Sequence, residues 1–175
     1  RADGLELKVA VNVSIDNLNR LDFPEFIVER AADEGMDLEH VIMEITESRL
    51  MKDIAGPLEI LTRLRLKNIG LSIDDFGTGH SSMEQLKRIP FTELKIDRAF
   101  VHGTSRDQAA RAILESSVDL AKRLGMTIVA EGVEDQSDWD VVAALGVDLV
   151  QGWFVGKAMP GDEIPAWNED WENSL

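Results

Sequence analysis

Four times along this chain, a stretch with helical spacing of apolar residues runs into a glycine and is followed at once by a short alternating apolar run, at Gly35, Gly70, Gly125 and Gly146. Glycine suits the end of a helix, where a residue at positive φ closes the last turn. The succession is a repeated helix–strand unit, and strands joined through helices run parallel. Predicted strands cover residues 8–13, 41–46, 71–75, 93–97, 127–131 and 148–152. Predicted helices cover 22–34 (Phe23, Phe26, Ile27, Ala31 inward), 54–68 (Leu58, Leu61, Leu64, Leu66 on or near one side), 107–124 (Ile113, Leu120, Ala121, Leu124) and 135–145. A short helical piece at 82–88 is broken by Pro90, and Trp167 and Trp171 among acids predict a terminal helix with one face packed on the body. Gly4-Leu5 reads as a fifth copy of the unit, so the sequence is expected to begin inside a larger fold.

Side chains alternate across a strand, so the parity of a position says which face it serves. Val9, Val11 and Val13; Val41, Met43 and Ile45; Leu71 and Ile73; Leu94 and Ile96; and Ile128 and Ala130 are expected to pack beneath the helices. Near its end each strand also delivers one polar group: Asn12, Glu44, Asp74, Lys95, Glu131 and Gln151. All have the opposite parity to the apolar set except Gln151, which shares its parity with Leu149. Any one alone reads as a capping or solvated residue. The same placement in six strands is what a parallel (β/α) barrel requires, because its C-terminal rim gathers such groups at one mouth. Asn, two Glu and Asp are oxygen ligands suited to a hard divalent ion, and Lys95 can orient a water or a phosphate oxygen.

The strand at 71–75 ends in a second carboxylate, Asp75, followed by Phe76-Gly77-Thr78-Gly79. Adjacent carboxylates repel unless a cation lies between them, and Asp75 can serve a second ion from the point where alternation lapses. Taken alone, the stretch reads equally as an Asp-rich turn with Asp74 as a helix N-cap. Paired metal ions that clamp the attacking and leaving oxygens are the usual machinery of phosphodiester hydrolysis. No Ser/His/Asp arrangement competes, since His40, His80 and His102 fall at a strand start and in loops, where they are expected to be solvated.

With 175 residues and 44% hydrophobic content the chain is expected to form one domain with a full core. A net charge of -15, from 33 acidic against 18 basic residues, argues against attraction to DNA, RNA or an anionic membrane surface. An anionic ligand then needs metal ions or a local basic group to offset that field. The lack of cysteine excludes thiolate zinc sites and cysteine nucleophiles. With no signal peptide and no apolar run of membrane-spanning length in the sequence, the expected location is cytoplasmic, without membrane insertion.

Asp74-Asp75-Phe76-Gly77-Thr78-Gly79, Leu94-Lys95-Ile96-Asp97-Arg98, Ala130-Glu131-Gly132-Val133-Glu134 and Gln151-Gly152, with Glu44-Ile45-Thr46-Glu47 and Val11-Asn12-Val13-Ser14, resemble the EAL-domain cyclic di-GMP phosphodiesterases over nearly the whole chain. The resemblance implies an α/β fold, a modified TIM-like (β/α) barrel, with residues 1–175 forming an N-terminally incomplete EAL-type domain of six of the eight units. It implies hydrolysis of cyclic di-GMP to linear pGpG with two ions of Mg2+ or Mn2+. By position, Asn12, Glu44, Asp74 and Glu131 resemble metal ligands, and Asp75 serves the second ion. Lys95 resembles the residue that orients the attacking water, Glu134 and Gln151 resemble supporting residues on the substrate side, and Glu47 resembles the anchor of the loop 76–82. A homodimer and further regulatory domains in the parent protein are also in keeping with the family.

Three departures stand out. His80 replaces a usual Tyr, Trp153 replaces another aromatic, and the Glu-Ala-Leu signature, which carries a metal-ligating Glu, is absent. A barrel of about 250 residues would exceed this chain by about 75, close to two units, which predicts an open barrel with exposed edges and an incomplete metal shell. The alternative function is a non-catalytic cyclic di-GMP receptor or protein-interaction module; a barrel hydrolase of another family is a third reading.

Overall fold

The structure is a computed structural model and describes residues 5–50, 55–78 and 83–174. In chain order it comprises β1 (Val9–Asn12), α1 (Ile15–Leu18), α2 (Phe23–Asp33), β2 (Val41–Thr46), α3 (Glu47–Leu50), α4 (Ala55–Leu66), β3 (Gly70–Phe76) and α5 (Met83–Arg88). It continues through β4 (Glu93–Ile96), α6 (Arg98–Val101), α7 (Gln108–Leu124), β5 (Thr127–Glu131), α8 (Gln136–Leu145), β6 (Leu149–Gln151) and α9 (Ile164–Ser174). The six strands form one sheet in sequence order, every pair parallel. The sheet is a curled half-barrel of the expected (β/α) type, and among the described residues β1 and β6 pair on one side only. No helix among the described residues is long and apolar enough to cross a membrane.

The helix stops obey the expected rule at three of four places. Gly35, Gly125 and Gly146 lie at φ 63, 68 and 67°, and the amide after each reaches back to close the last turn, as Met36 N does to Ala31 O at 2.8 Å. At α4 the role falls instead to Asn68, at φ 64°, with Ile69 N donating to Leu64 O at 3.2 Å. Gly70 is already the first residue of β3, where a Cβ would lie 3.0 Å from Ile42 Cγ1. It serves close packing of two strands rather than helix termination.

The helix-facing parity of β2 to β5 is fully buried: Met43, Ile45, Leu71, Ile73, Leu94, Ile96, Ile128 and Ala130 pack against Ile60, Leu61 and Leu64 of α4, Leu114, Val118 and Ala121 of α7, and Val142 of α8. Several individual expectations fail for geometric reasons. Leu66 is 80% exposed, because two residues beyond Leu64 carry it about 200° around the helix. In α7 the inward stripe is Ala110, Leu114, Ser117, Val118 and Ala121, which leaves Ile113 and Leu124 each 40% exposed. Phe26 is likewise outward, with the Arg30 guanidinium 5.8 Å from its ring centre. Val9 and Val11 remain 41% and 43% exposed because β1 is an edge strand only partly covered by α2.

The terminal helix matches its expectation: Trp171 of α9 meets Trp139 of α8 edge-on at 6.1 Å and Phe154 at 6.4 Å. The one-turn helices α1, α3 and α6 were not expected, since four residues are too few to show a period.

Candidate functional site

Partners across a parallel ladder project to the same side of the sheet, so the register shows which rim groups share the concave face. Asn12 stands beside Glu44, Thr46 beside Asp74, Ser72 beside Glu93, and Glu131 beside Gln151. Gln151 is therefore no exception: Val150 is the residue of β6 that packs on the core, and Gln151 faces inward with Glu131. Leu149 shares that inward side and is exposed at the sheet edge.

Beyond Ile73 the pairing of β3 with β4 slips by one residue, and Asp75 takes a left-handed conformation at φ 56°. A bulge of this kind re-aims a side chain. Its consequence is that two consecutive residues, Asp74 and Asp75, reach the same cluster: oxygens of Asp74, Asp75 and Glu131 lie within 4.8 Å of one another.

Lys95 projects from β4 into this cluster. Its Nζ lies 2.6 Å from Glu131 Oε1, 2.8 Å from Glu44 Oε1 and 3.2 Å from Asp74 Oδ1. Asp74 Oδ1 is buried and accepts no hydrogen bond of good geometry, so the ammonium gives it charge compensation only. Burial acts to lower the Lys95 pKa, but hydrogen bonds to Glu131 and Glu44 and the charges of Glu131 and Asp74 overcome it and hold the ammonium charged well above its ordinary range. Burial raises the pKa of Glu131, opposed by Lys95 and reinforced by Asp74 and Asp75. Burial also raises Asp75, reinforced by the charges of Asp74 and Asp97 and by a hydrogen bond with Asp97.

Asp97 belonged to a motif read from the sequence but was given no role. Its position two residues beyond Lys95, on the same face of an extended strand, was the signal available. Below the cluster a buried pair was also missed: Glu93, raised in pKa by burial, faces the buried hydroxyl of Ser72.

The other predicted residues fall around this centre. Glu44 meets the three-carboxylate group through Lys95 rather than as part of it. Asn12 and Gln151 lie exposed on the two outermost strands. Glu47 is almost wholly buried and accepts a hydrogen bond from Gly77 N at 2.9 Å, whereas the Thr78 hydroxyl donates to Asp75 O at 2.9 Å. His80, Ser81 and Ser82 lie outside the described residues. Glu134 pairs with Arg98 at 2.7 Å. His102, expected to be solvated, is exposed and also contacts the buried Asp138 through Nδ1 at 2.9 Å.

The donor set fits a hard divalent cation: three convergent carboxylates, one buried oxygen short of a hydrogen bond, and acids whose pKa values are raised by burial and, secondarily, by their mutual repulsion. Lys95 alone leaves an excess of negative charge that such an ion would neutralise.

An EAL domain family model matches residues 1–158. The bifunctional diguanylate cyclase/cyclic di-GMP phosphodiesterase MucR of Pseudomonas aeruginosa is 37% identical over 158 residues, 90% of this chain but 23% of MucR. The structure of the MucR phosphodiesterase in complex with c-di-GMP superposes with a TM-score of 0.84 at 37% identity, over 90% of this chain and 64% of that one. Klebsiella pneumoniae BlrP1, solved with manganese and cyclic di-GMP at pH 9.0, superposes at 0.79 with 29% identity, over 83% of this chain and 38% of that one. The chain thus spans about a quarter of its curated relative's length, and across that span both the ordered motifs and the curled parallel sheet make it a member of the EAL domain family.

Proposed function

We propose that residues 1–175 form the phosphodiesterase unit of a larger cytoplasmic protein that opens cyclic di-GMP to linear pGpG. The observation that carries this is the convergence of Asp74, Asp75 and Glu131 around Lys95 at the sheet's C-terminal rim. It is supported by relatives named as cyclic di-GMP phosphodiesterases and by the complexes of MucR and BlrP1 with that ligand.

Asp74, Asp75 and Glu131, with Glu44 and Asn12 beside them, would hold two ions of Mg2+ or Mn2+. Bound there, the ions would supply a water of lowered pKa and charge neutralisation for the phosphate. Such help is needed because a dianionic ligand must approach a chain of net charge -15. Lys95, fixed by Glu131 and Glu44 with its proton retained, points one cationic donor at the reacting region and orients the attacking water. Glu47 holds the backbone at Gly77 and so the chain that follows Asp75. Gln151 and Glu134 flank the cluster on the substrate side.

Conversion of cyclic di-GMP to pGpG by the intact protein in Mn2+ tests the reading. Product formation that vanishes on chelation supports it; tight binding without turnover identifies a receptor instead; no binding at any metal concentration removes cyclic di-GMP as the ligand.

A further inference from the structure

Glu131 closes β5 and Glu134 lies three residues on in the loop that follows, which is held from the short helix α6 at both ends. At the front, Arg98 lies over Gly132, where an added Cβ would fall 2.2 Å from Arg98 Cγ, and its guanidinium pairs with Glu134. At the rear, Asp138 of α8 sends its carboxylate to the exit of α6. Oδ1 accepts from Gly103 N at 2.9 Å, and Oδ2 contacts His102 Nδ1 at 2.9 Å. The same Oδ2 accepts from Glu134 N at 3.2 Å.

The side chain of Asp138 is 0% exposed, so these bonds are made away from water and no solvent molecule substitutes for a lost one. Helix capping does not account for them. The N-cap of α8 is Asp135, whose Oδ1 takes Asp138 N at 3.0 Å. A residue at the third helical position ordinarily returns to the N-cap amide. Asp138 instead takes the amide one residue earlier, together with two groups on a different element.

We infer that Asp138 is a positioning residue for the carboxylate cluster. It locks the exit of α6 to the β5–α8 loop and thereby sets the spacing between the β4 rim, with Lys95 and Asp97, and the β5 rim, with Glu131 and Glu134. It acts through the amides of Gly103 and Glu134 and touches no proposed metal ligand. The inference rests on reading Asp74, Asp75 and Glu131 as a metal centre.

Asp138→Asn separates this role from a structural one. The amide oxygen still accepts from Gly103 N, and the His102 ring can accept from the new NH2 group, but Glu134 N now faces a donor. Mn2+ affinity of the substrate-free intact protein, measured by calorimetry, is expected to weaken about tenfold, the low end for groups that orient ligands. His102→Ala keeps both amide bonds and is expected to bind Mn2+ as the wild type does. A lowered Tm with unchanged Mn2+ affinity in Asp138→Asn overturns the inference. Should that variant not fold, hydrogen exchange in the wild type decides: linkage requires saturating Mn2+ to slow exchange at Gly103 as well as at Glu134, and no change at Gly103 overturns the proposal. Failure of the wild type to bind Mn2+ would instead remove the metal centre itself.

Discussion

Replacing Lys95 by Met removes an ammonium from among three carboxylates at 2.6, 2.8 and 3.2 Å while keeping most of the side chain's apolar length. Removing one partner of a buried ion pair costs about 3–5 kcal/mol, and with three acids left facing one another the upper half of that range is expected. That is a large part of the roughly 5–15 kcal/mol that holds a domain folded. Divalent ions should offset the loss. Mn2+ at a hundredfold excess over its Kd returns about 2.7 kcal/mol, and it binds more tightly once no ammonium competes for the same oxygens. Urea unfolding of wild type and Lys95→Met, each with chelator and with Mn2+, measures both quantities. The variant should be the less stable with chelator and the more strongly stabilised by Mn2+, while its turnover is lost. An unfolding free energy within about 1 kcal/mol of wild type in chelator would show that the acids do not depend on Lys95. A smaller Mn2+ gain in the variant than in the wild type would show that ions bind elsewhere.

Glu47→Gln keeps the shape that meets Gly77 N but loses the charge, so the Mn2+ concentration needed for half-maximal turnover should rise with the Tm nearly unchanged; a shifted Tm with unaltered metal dependence refutes a loop-holding role. Gly152→Ala places a Cβ 2.1 Å from Val133 O, a backbone atom that cannot swing aside, and should cost about 3 kcal/mol or more in urea unfolding. Asp75 and Glu131 have folded pKa values above the ordinary carboxylate range, so their protonation stabilises the metal-free fold. That contribution is complete below the ordinary carboxylate pKa and is lost as pH rises through the raised values. Mn2+ must displace those protons, so its affinity should strengthen as pH rises through the raised values in calorimetric titrations, and a pH-independent Kd would refute it.

The parallel sheet was legible because five of the six strands repeat the same parity and three of the four expected helix stops are glycines at positive φ; Asn68 hid the fourth stop, since Asn also adopts the left-handed region. Strand patterns were more legible than helix faces. Parity has two values, so Leu94 and Ile96 were placed correctly, whereas a 100° step let Leu66 and Ile113 pass as inward when they are not. In the site, strand parity brought out Asp74, Lys95 and Glu131, which sit on their own strands. What stayed hidden depends on partners distant in sequence. Asp138 is an unremarkable third residue of a helix until Gly103, 35 residues away, is seen to bond it, and the Glu93–Ser72 pair exists only once β3 lies beside β4.

The slipped register in β3 bears on how substitutions at its end should be interpreted. A regular strand can offer the mouth only every second residue; the slip lets one strand contribute two acids in succession, at the cost of holding Asp75 at φ 56°. Asp and Asn tolerate that backbone, while other L-residues meet a penalty of about 1–2 kcal/mol there. An alanine at 75 would therefore change the chain path and the charge together, and its effect could not be assigned to either. Asparagine keeps the path and removes only the charge, and glycine keeps the path while removing the whole side chain. The pair forms the matched control that alanine scanning cannot supply at this residue.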